Sequence, residues 1–307
     1  MHRPVLYQEI IHFLSPHRGG YYIDATLGAG GHAWGILEAS APDGRLLGMD
    51  VDPQALQLAH EKLSDFGSRA ILVRASYTSL AEQMAALEWT AVDGIVLDLG
   101  VSSMQLDTPQ RGFSFQVDAP LDMRFDPDNP VRAGDLVNNL SEDELADVLF
   151  RYGEERRARR VARSIVAARP LETTRQLAQV VAQATSAGRP NMHPATRTFQ
   201  ALRIAVNGEL EALERTLPQA VSALEPQGRL AVISFHSLED RIVKHYFRQE
   251  SQDCICPPRQ PVCTCGHRAV IRLVTKRPVQ PADSEVKENP RSRSARLRVA
   301  EKLTLMS

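Results

Sequence analysis

Three aspartates in matching positions carry the chemistry this sequence can do. Asp24 closes the run Tyr21-Tyr-Ile-Asp, Asp50 closes Leu46-Leu-Gly-Met-Asp, and Asp98 closes Val92-Asp-Gly-Ile-Val-Leu-Asp. Each run is short, apolar and bounded by glycine or turn residues, the pattern of a buried strand. Between the first two acids stands Gly28-Ala-Gly-Gly-His32, whose glycines permit conformations and close approaches that a Cβ forbids. Strand, glycine loop, helix, strand, acid is the order of a nucleoside-binding unit, with the second acid, Asp50, set to hold ribose hydroxyls about 20 residues after the first glycine.

The glycine loop leaves the kind of nucleoside open. Gly28-Ala-Gly-Gly-His-Ala33 satisfies the dinucleotide fingerprint literally, since alanine is allowed at its last position. Asp24 argues the other way. A carboxylate at the end of the first strand suits the amino or sulfonium group of S-adenosylmethionine and would repel a pyrophosphate. S-adenosylmethionine is therefore the preferred ligand, with a nicotinamide or flavin dinucleotide and a purely structural glycine turn as alternatives.

The elements that must position these acids alternate. Strands are expected at 21–25, 46–49, 70–73 and 92–98. Helices are expected at 33–40, 53–66 and 79–87, after a short amphipathic one at 8–14. Alternation of this kind means an α/β fold with a mostly parallel, Rossmann-like sheet covered on both faces. Ligands then lie beyond the carboxyl ends of the strands, where Asp24, Asp50, Tyr77 and Asp98 all fall. From Leu106 to about Val206 no strand is expected, and helices at 141–150, 154–168 and 174–184 make this stretch a helical insertion. Sheet character returns at 230–235 after a helix over 208–224, followed by a helix at 238–248. Val270–Thr275 and Leu297–Ala300 are expected as a closing hairpin-like pair at one edge, separated by a long polar connection. The expected division is 1–106 with 207–307 as the catalytic domain and 107–206 as the helical insertion.

Composition narrows the function classes. A chain of 307 residues has room for one large domain or two ordinary ones. Its formal net charge of −1 gives no global attraction to nucleic acid, so any such binding must come from local patches. No run approaches membrane-spanning length and Met1-His-Arg-Pro-Val-Leu6 has no apolar signal core, so a cytoplasmic location is expected. The four cysteines, all between Cys254 and Cys265, are then not expected to form structural disulfides.

Each further motif has an ordinary reading beside the chemical one. Asp98-Leu-Gly-Val-Ser-Ser103 could be an aspartate capping the next turn, but its strand-end position favours a role in chemistry. Arg151, Arg156, Arg157, Arg159, Arg160 and Arg163 are either a solvated face paired with nearby glutamates or a phosphate-contacting surface. The runs His193–Gln200 and Ser234–Asp240 suit capping and core near helix starts, although His236 lies just past a strand end. Cys254-Ile-Cys256 and Cys263-Thr-Cys265 could bind zinc, but Cys-x-Cys is tighter than the usual spacing. Reduced, unligated thiols are the expectation there, and no metal is assigned.

Together the motifs resemble one family, the ribosomal RNA small subunit methyltransferase H family, also called MraW. The matching runs are Asp24–His32, Met49–Pro53, Leu97–Ser103, Gln105-Leu106, Arg111–Phe115, Pro120–Arg124, Tyr152–Arg156, His193–Gln200, Ile233–Arg241 and Glu288–Arg293. The resemblance implies a class I S-adenosylmethionine-dependent methyltransferase with a helical insertion domain that recognises substrate. It also implies methyl transfer to the exocyclic N4 of a cytidine in the decoding region of 16S rRNA. The partner would be 16S rRNA or the small ribosomal subunit, with neither membrane nor DNA. Cofactor contacts carry over to Gly30, Gly31, His32, Asp50, Tyr77, Asp98 and Gln105, Tyr77 standing where relatives more often have Phe. Many amino-methyltransferases place Asp/Asn-Pro-Pro-aromatic where this chain has Asp98-Leu-Gly-Val. Asp98 is therefore the catalytic candidate, and an aromatic platform for the base must come from Phe113, Phe115 or Phe199.

Overall fold

In the computed structural model the described residues are 4–185, 193–257, 260 and 262–304. They form two compact units, 1–100 with 210–307, and 101–209. No helix among the described residues is long and apolar enough to cross a membrane.

The first unit opens with α1 (Tyr7–Leu14), then alternates β1 (Tyr21–Asp24), α2 (Gly31–Ala39), β2 (Arg45–Asp50), α3 (Pro53–Leu63), β3 (Ala70–Arg74), α4 (Leu80–Ala86) and β4 (Val92–Asp98). The start of α3 follows from its sequence: Asp52 accepts a hydrogen bond from the Gln54 N–H and Pro53 occupies the first turn.

The second unit is helical: α5 (Ser103–Asp107), α6 (Ala133–Asn139), α7 (Glu142–Gly153), α8 (Ala158–Ala167), α9 (Thr174–Ala184) and α10 (Thr196–Asn207). Ser141 and Glu144 cap α7 reciprocally, as their spacing requires. Helix α8 starts four residues later than its periodicity predicts, because Glu154 takes a left-handed conformation (φ 48°) that ends α7. The apolar face of α8, namely Ala158, Val161, Ala162 and Ile165, is buried with Leu145 and Leu149 of α7 and Leu202 of α10. Helix α6 carries only two buried side chains, Ala133 and Val137, too few to show a period in the sequence.

The chain re-enters the first unit through α11 (Glu209–Ala223), β5 (Leu224–Ser234), α12 (Ser237–Glu250), β6 (Ile271–Leu273), α13 (Asp283–Glu288) and β7 (Arg296–Lys302). Strand β5 begins six residues before the expected 230. The turn-like Pro226-Gln-Gly228 sits inside it as an irregularity, with Gln227 at φ 70° and the pairing stepping from Val92–Leu224 to Gly94–Arg229. The sheet among the described residues has the order β3-β2-β1-β4-β5-β7-β6. Strands β1 to β5 run parallel, while β7 pairs antiparallel with both β5 and β6. Alternate residues feed the two faces. Ile23, Leu47, Ile95, Leu97 and Val232 pack toward α4, α11 and α12. Tyr22, Leu46, Val96, Ala231 and Ile233 pack toward α1, α2 and α3. Both faces are apolar, which is why these strands lack polar alternation.

Candidate active site

The strand order reverses between β1 and β4, and a crevice opens at the carboxyl ends of strands at such a point. Ile23 and Asp24 lie beside Ile95 and Val96, so Asp24 and Asp98 end neighbouring strands two residues out of step. The glycine loop is tied down on both sides of this point. The Leu27 N–H donates to the Met49 carbonyl at 2.9 Å and the Ala25 N–H to the Val96 carbonyl at 3.0 Å.

Gly30 and Gly31 start α2. Gly30 is left-handed (φ 74°) at the cap, and a Cβ on Gly31 would lie 2.3 Å from Pro4 Cγ. Side chains at either position would therefore strain or displace the loop. His32 follows on the first turn, 4% exposed, with neither ring nitrogen hydrogen-bonded among the described residues. Its Nε2 lies 3.4 Å from Asp98 Oδ2, and its ring stacks at 6.4 Å on Tyr7.

Asp24 is 1% exposed, and its Oδ2 has no hydrogen-bond partner among the described residues. Burial pushes its carboxyl up to about 6; His32 pulls the value down and Asp98 pushes it up. Asp98 is anchored through its backbone, whose N–H donates to Thr26 Oγ1 at 2.6 Å, while its Oδ1 is buried without a hydrogen bond among the described residues. Two carboxylates with unused oxygens thus face one histidine.

Asp50 is half-buried at the end of β2, and desolvation raises its carboxyl, although the N–H groups of Asp52 (2.9 Å) and Gly28 (2.8 Å) donate to its two oxygens and oppose that rise. The acid expected to hold a ribose therefore also fixes the glycine loop. Tyr77 is half-buried three residues beyond the end of β3 and packs against the core on the α4–α11–α12 face. Gln105 belongs to the second unit, where it is buried and caps α5, its Oε1 accepting from the Ser102 N–H at 3.1 Å. Gly30, Gly31, His32, Asp50, Tyr77 and Asp98 all fall at the carboxyl edge of one sheet. Thr26 had no signal in the sequence, because its bond to Asp98 spans 72 positions.

His236 is a capping residue: its Nδ1 accepts from the Glu239 N–H at 3.4 Å, and Glu239 holds the Phe235 N–H at 2.8 Å. Phe199 is corrected as a platform for a base. It is 5% exposed within the helical core, which leaves no face for stacking. Phe115 is half-buried, edge-on to Phe199 and tilted on His193 at 4.6 Å, and Phe113 stacks on Phe125 at 5.5 Å.

The sequence of residues 1–303 matches the model of the MraW methylase family. The chain belongs to that family. It is 54% identical over 307 residues to the ribosomal RNA small subunit methyltransferase H of Geobacter sulfurreducens, covering 98% of this chain and 99% of that protein. The protein of the same name from Thermomicrobium roseum is 53% identical over 305 residues, covering 98% of this chain and 94% of that one. A solved rRNA methylase from Streptococcus thermophilus covers 99% of both chains at 12% identity with a TM-score of 0.46, a likeness that carries none of the argument.

The family's methyl donor is S-adenosylmethionine, and the residues present fit it. An orphaned, buried carboxylate oxygen at Asp24 calls for a cation, which this cofactor's ammonium and sulfonium supply and a pyrophosphate does not. The nucleoside end is suited by Asp50 and the aromatic ring of Tyr77. Replacing Asp50 with Ala is expected to weaken S-adenosylmethionine binding by about 1–2 kcal/mol, through lost hydrogen bonds and a loosened Gly28 loop. Calorimetry would read this directly, and an unchanged affinity would remove Asp50 from the site.

Proposed function

We propose that this chain transfers a methyl group from S-adenosylmethionine to the exocyclic N4 of one cytidine in the decoding region of 16S rRNA. Relatives about half identical over nearly their whole length are named ribosomal RNA small subunit methyltransferase H, which supports the substrate class. The observation that carries the chemistry is the buried, unbonded Oδ1 of Asp98 at the strand switch.

A cytosine amino group is a weak nucleophile because its lone pair is delocalised into the ring. When bound, the cofactor supplies a methyl group already activated by the sulfonium, so most of the remaining task is placement. Asp98 accepts a hydrogen bond from the amino group and draws its lone pair out of the ring plane. His32 Nε2 stands 3.4 Å from the other carboxylate oxygen of Asp98, and Thr26 fixes its backbone. The base must be unstacked to enter. Mass spectrometry of nucleosides digested from the rRNA of cells lacking the protein tests this reading. A methyl group missing from one cytidine is the expected result; an unchanged digest would leave an assembly factor that merely holds the cofactor.

The helical unit (101–209) recognises the RNA. Arg156, Arg159, Arg160 and Arg163 are all exposed, and among them Arg163 is paired with Glu142 at 3.2 Å. An exposed pair of this kind contributes little to stability and yields readily to a phosphate. Reversing Arg156, Arg160 and Arg163 to Glu is expected to weaken RNA binding and to reduce the slope of log affinity against log salt by about one per lost phosphate contact. Cofactor affinity stays unchanged. An identical salt slope in the variant would show that these arginines are only a solvated face.

A further inference from the structure

The connection between α12 and β6 holds four cysteines that the methyl-transfer chemistry does not use. The sulfurs of Cys254, Cys256, Cys263 and Cys265 all lie within 4.8 Å of one another. Cys263 and Cys265 are 3.6 Å apart, and Cys265 and Cys254 are 3.9 Å apart. A tetrahedral zinc with bonds of about 2.3 Å sets its sulfurs about 3.8 Å apart along each edge. These two separations are already close to that value. Reduced thiols with no common partner have no reason to converge from both arms of a loop, and a disulfide would need its two sulfurs at about 2 Å.

The surroundings agree. None of the described residues from Ser251 to Val270 is buried; Ile255 is 44% exposed and Val262 is 70% exposed. The loop therefore has no apolar core to fix its path, and a metal cross-link is the usual substitute. Backbone N–H groups of Thr264 and His267 point at the sulfurs of Cys256 and Cys265, each at 3.5 Å. Such donors favour the negative charge that sulfur carries on a metal. His267 itself is engaged elsewhere, its Nε2 lying 3.1 Å from the Gln249 carbonyl, so the ligand set is four cysteines. Pro258, Arg259 and Pro261, in the turn between the pairs, lie outside the described residues.

We propose that Cys254, Cys256, Cys263 and Cys265 bind one zinc ion as a closed tetrathiolate knuckle that staples the α12–β6 connection. The tight Cys-x-Cys spacing, which argued against a metal in the sequence, is accommodated because each arm supplies two neighbouring corners. Four soft ligands select zinc among the common divalent ions. Binding displaces the thiol protons to solvent and leaves no open coordination position, so the role is structural. Topology supports that role. Helix α12 leaves the carboxyl end of β5 and runs back along the sheet, which places this loop at the amino end, opposite Asp24 and Asp98.

The test uses the whole chain purified under reducing conditions without chelator. Elemental analysis should find one zinc per chain, and a mercurial thiol reagent should release that zinc into a chromogenic chelator. Cobalt(II) added to zinc-stripped protein should give the visible and near-ultraviolet bands of a tetrahedral tetrathiolate. The double variant Cys254→Ser/Cys263→Ser should retain neither metal; should it fail to fold, the mercurial release and cobalt spectrum of the unaltered chain decide alone. Four freely titrating thiols with no zinc taken up, a mass lowered by two disulfides, or iron in place of zinc would each overturn the proposal. S-adenosylmethionine affinity should be unchanged after zinc removal, and a loss of that affinity in a chain that stays folded would overturn the purely structural role.

Discussion

Asp98→Asn is expected to lower single-turnover methyl transfer by roughly 10²–10⁴ at saturating S-adenosylmethionine, the range of a positioned acid–base group, while cofactor affinity falls only modestly. The substitution keeps nearly the same shape. The backbone N–H of Asp98 still donates to Thr26 Oγ1, so the end of β4 stays where it is. What changes is Oδ1: the buried, unbonded acceptor of a carboxylate becomes part of a neutral amide. An amide can turn its NH2 toward the incoming amino group and repel it, and it cannot stabilise the positive charge that develops on the attacking nitrogen. The contact between Asp98 and His32 Nε2 at 3.4 Å survives in outline, which separates the loss of an acceptor from the loss of a positioned histidine. Full recovery of the rate at high cofactor concentration would refute the catalytic role and leave placement by backbone groups as the mechanism.

Much of this arrangement was legible because it is local. The ends of β1, β2 and β4 each carry an aspartate, and an apolar run that stops at an acid is visible in one dimension. The edge pair β6–β7 was visible as two short apolar runs separated by a long polar connection, although that connection also holds α13, which was not expected from the sequence. Three features were not legible, each for a physical cause. The anchoring of Asp98 by Thr26 joins residues 72 positions apart through a backbone donor, which leaves no trace in composition. Pro226-Gln-Gly228 reads as the stop after the 208–224 helix, but β5 absorbs it as an irregularity because pairing to β4 resumes at Gly94–Arg229. The cysteines were discounted on spacing alone, and spacing along a chain does not say that two arms meet. The glycine fingerprint, by contrast, was ambiguous taken alone; the surrounding family motifs resolve it in favour of S-adenosylmethionine, and the buried Asp24 carboxylate fits that cofactor.

That carboxylate gives the other large effect. Asp24→Asn is expected to weaken S-adenosylmethionine binding by about 2–3 kcal/mol, the range for a lost hydrogen bond to a charged group, and also to stabilise the chain without cofactor. Burial raises the Asp24 carboxyl from 3.8 to about 6. Between those values the folded chain keeps a proton that the unfolded chain has lost, so stability falls as pH rises across this window and stays reduced above it. A neutral isostere does not suffer this loss, and the variant should gain up to about 3 kcal/mol of unfolding free energy at pH 7. Binding has the opposite dependence. The cationic end of the cofactor needs Asp24 ionised, so affinity rises with pH through about 6 and should be roughly tenfold weaker at pH 5 than at pH 7. In Asp24→Asn this dependence disappears. Urea melts of the apo proteins and calorimetry across the same pH range read the two effects separately. A variant that loses both stability and affinity would make Asp24 a structural group. A wild-type affinity that is flat from pH 5 to 7 would mean that the cofactor's positive charge lies elsewhere. A gain in apo stability joined to a loss of pH-dependent binding fits only a carboxylate kept charged, at a cost to the fold, for the cation it receives.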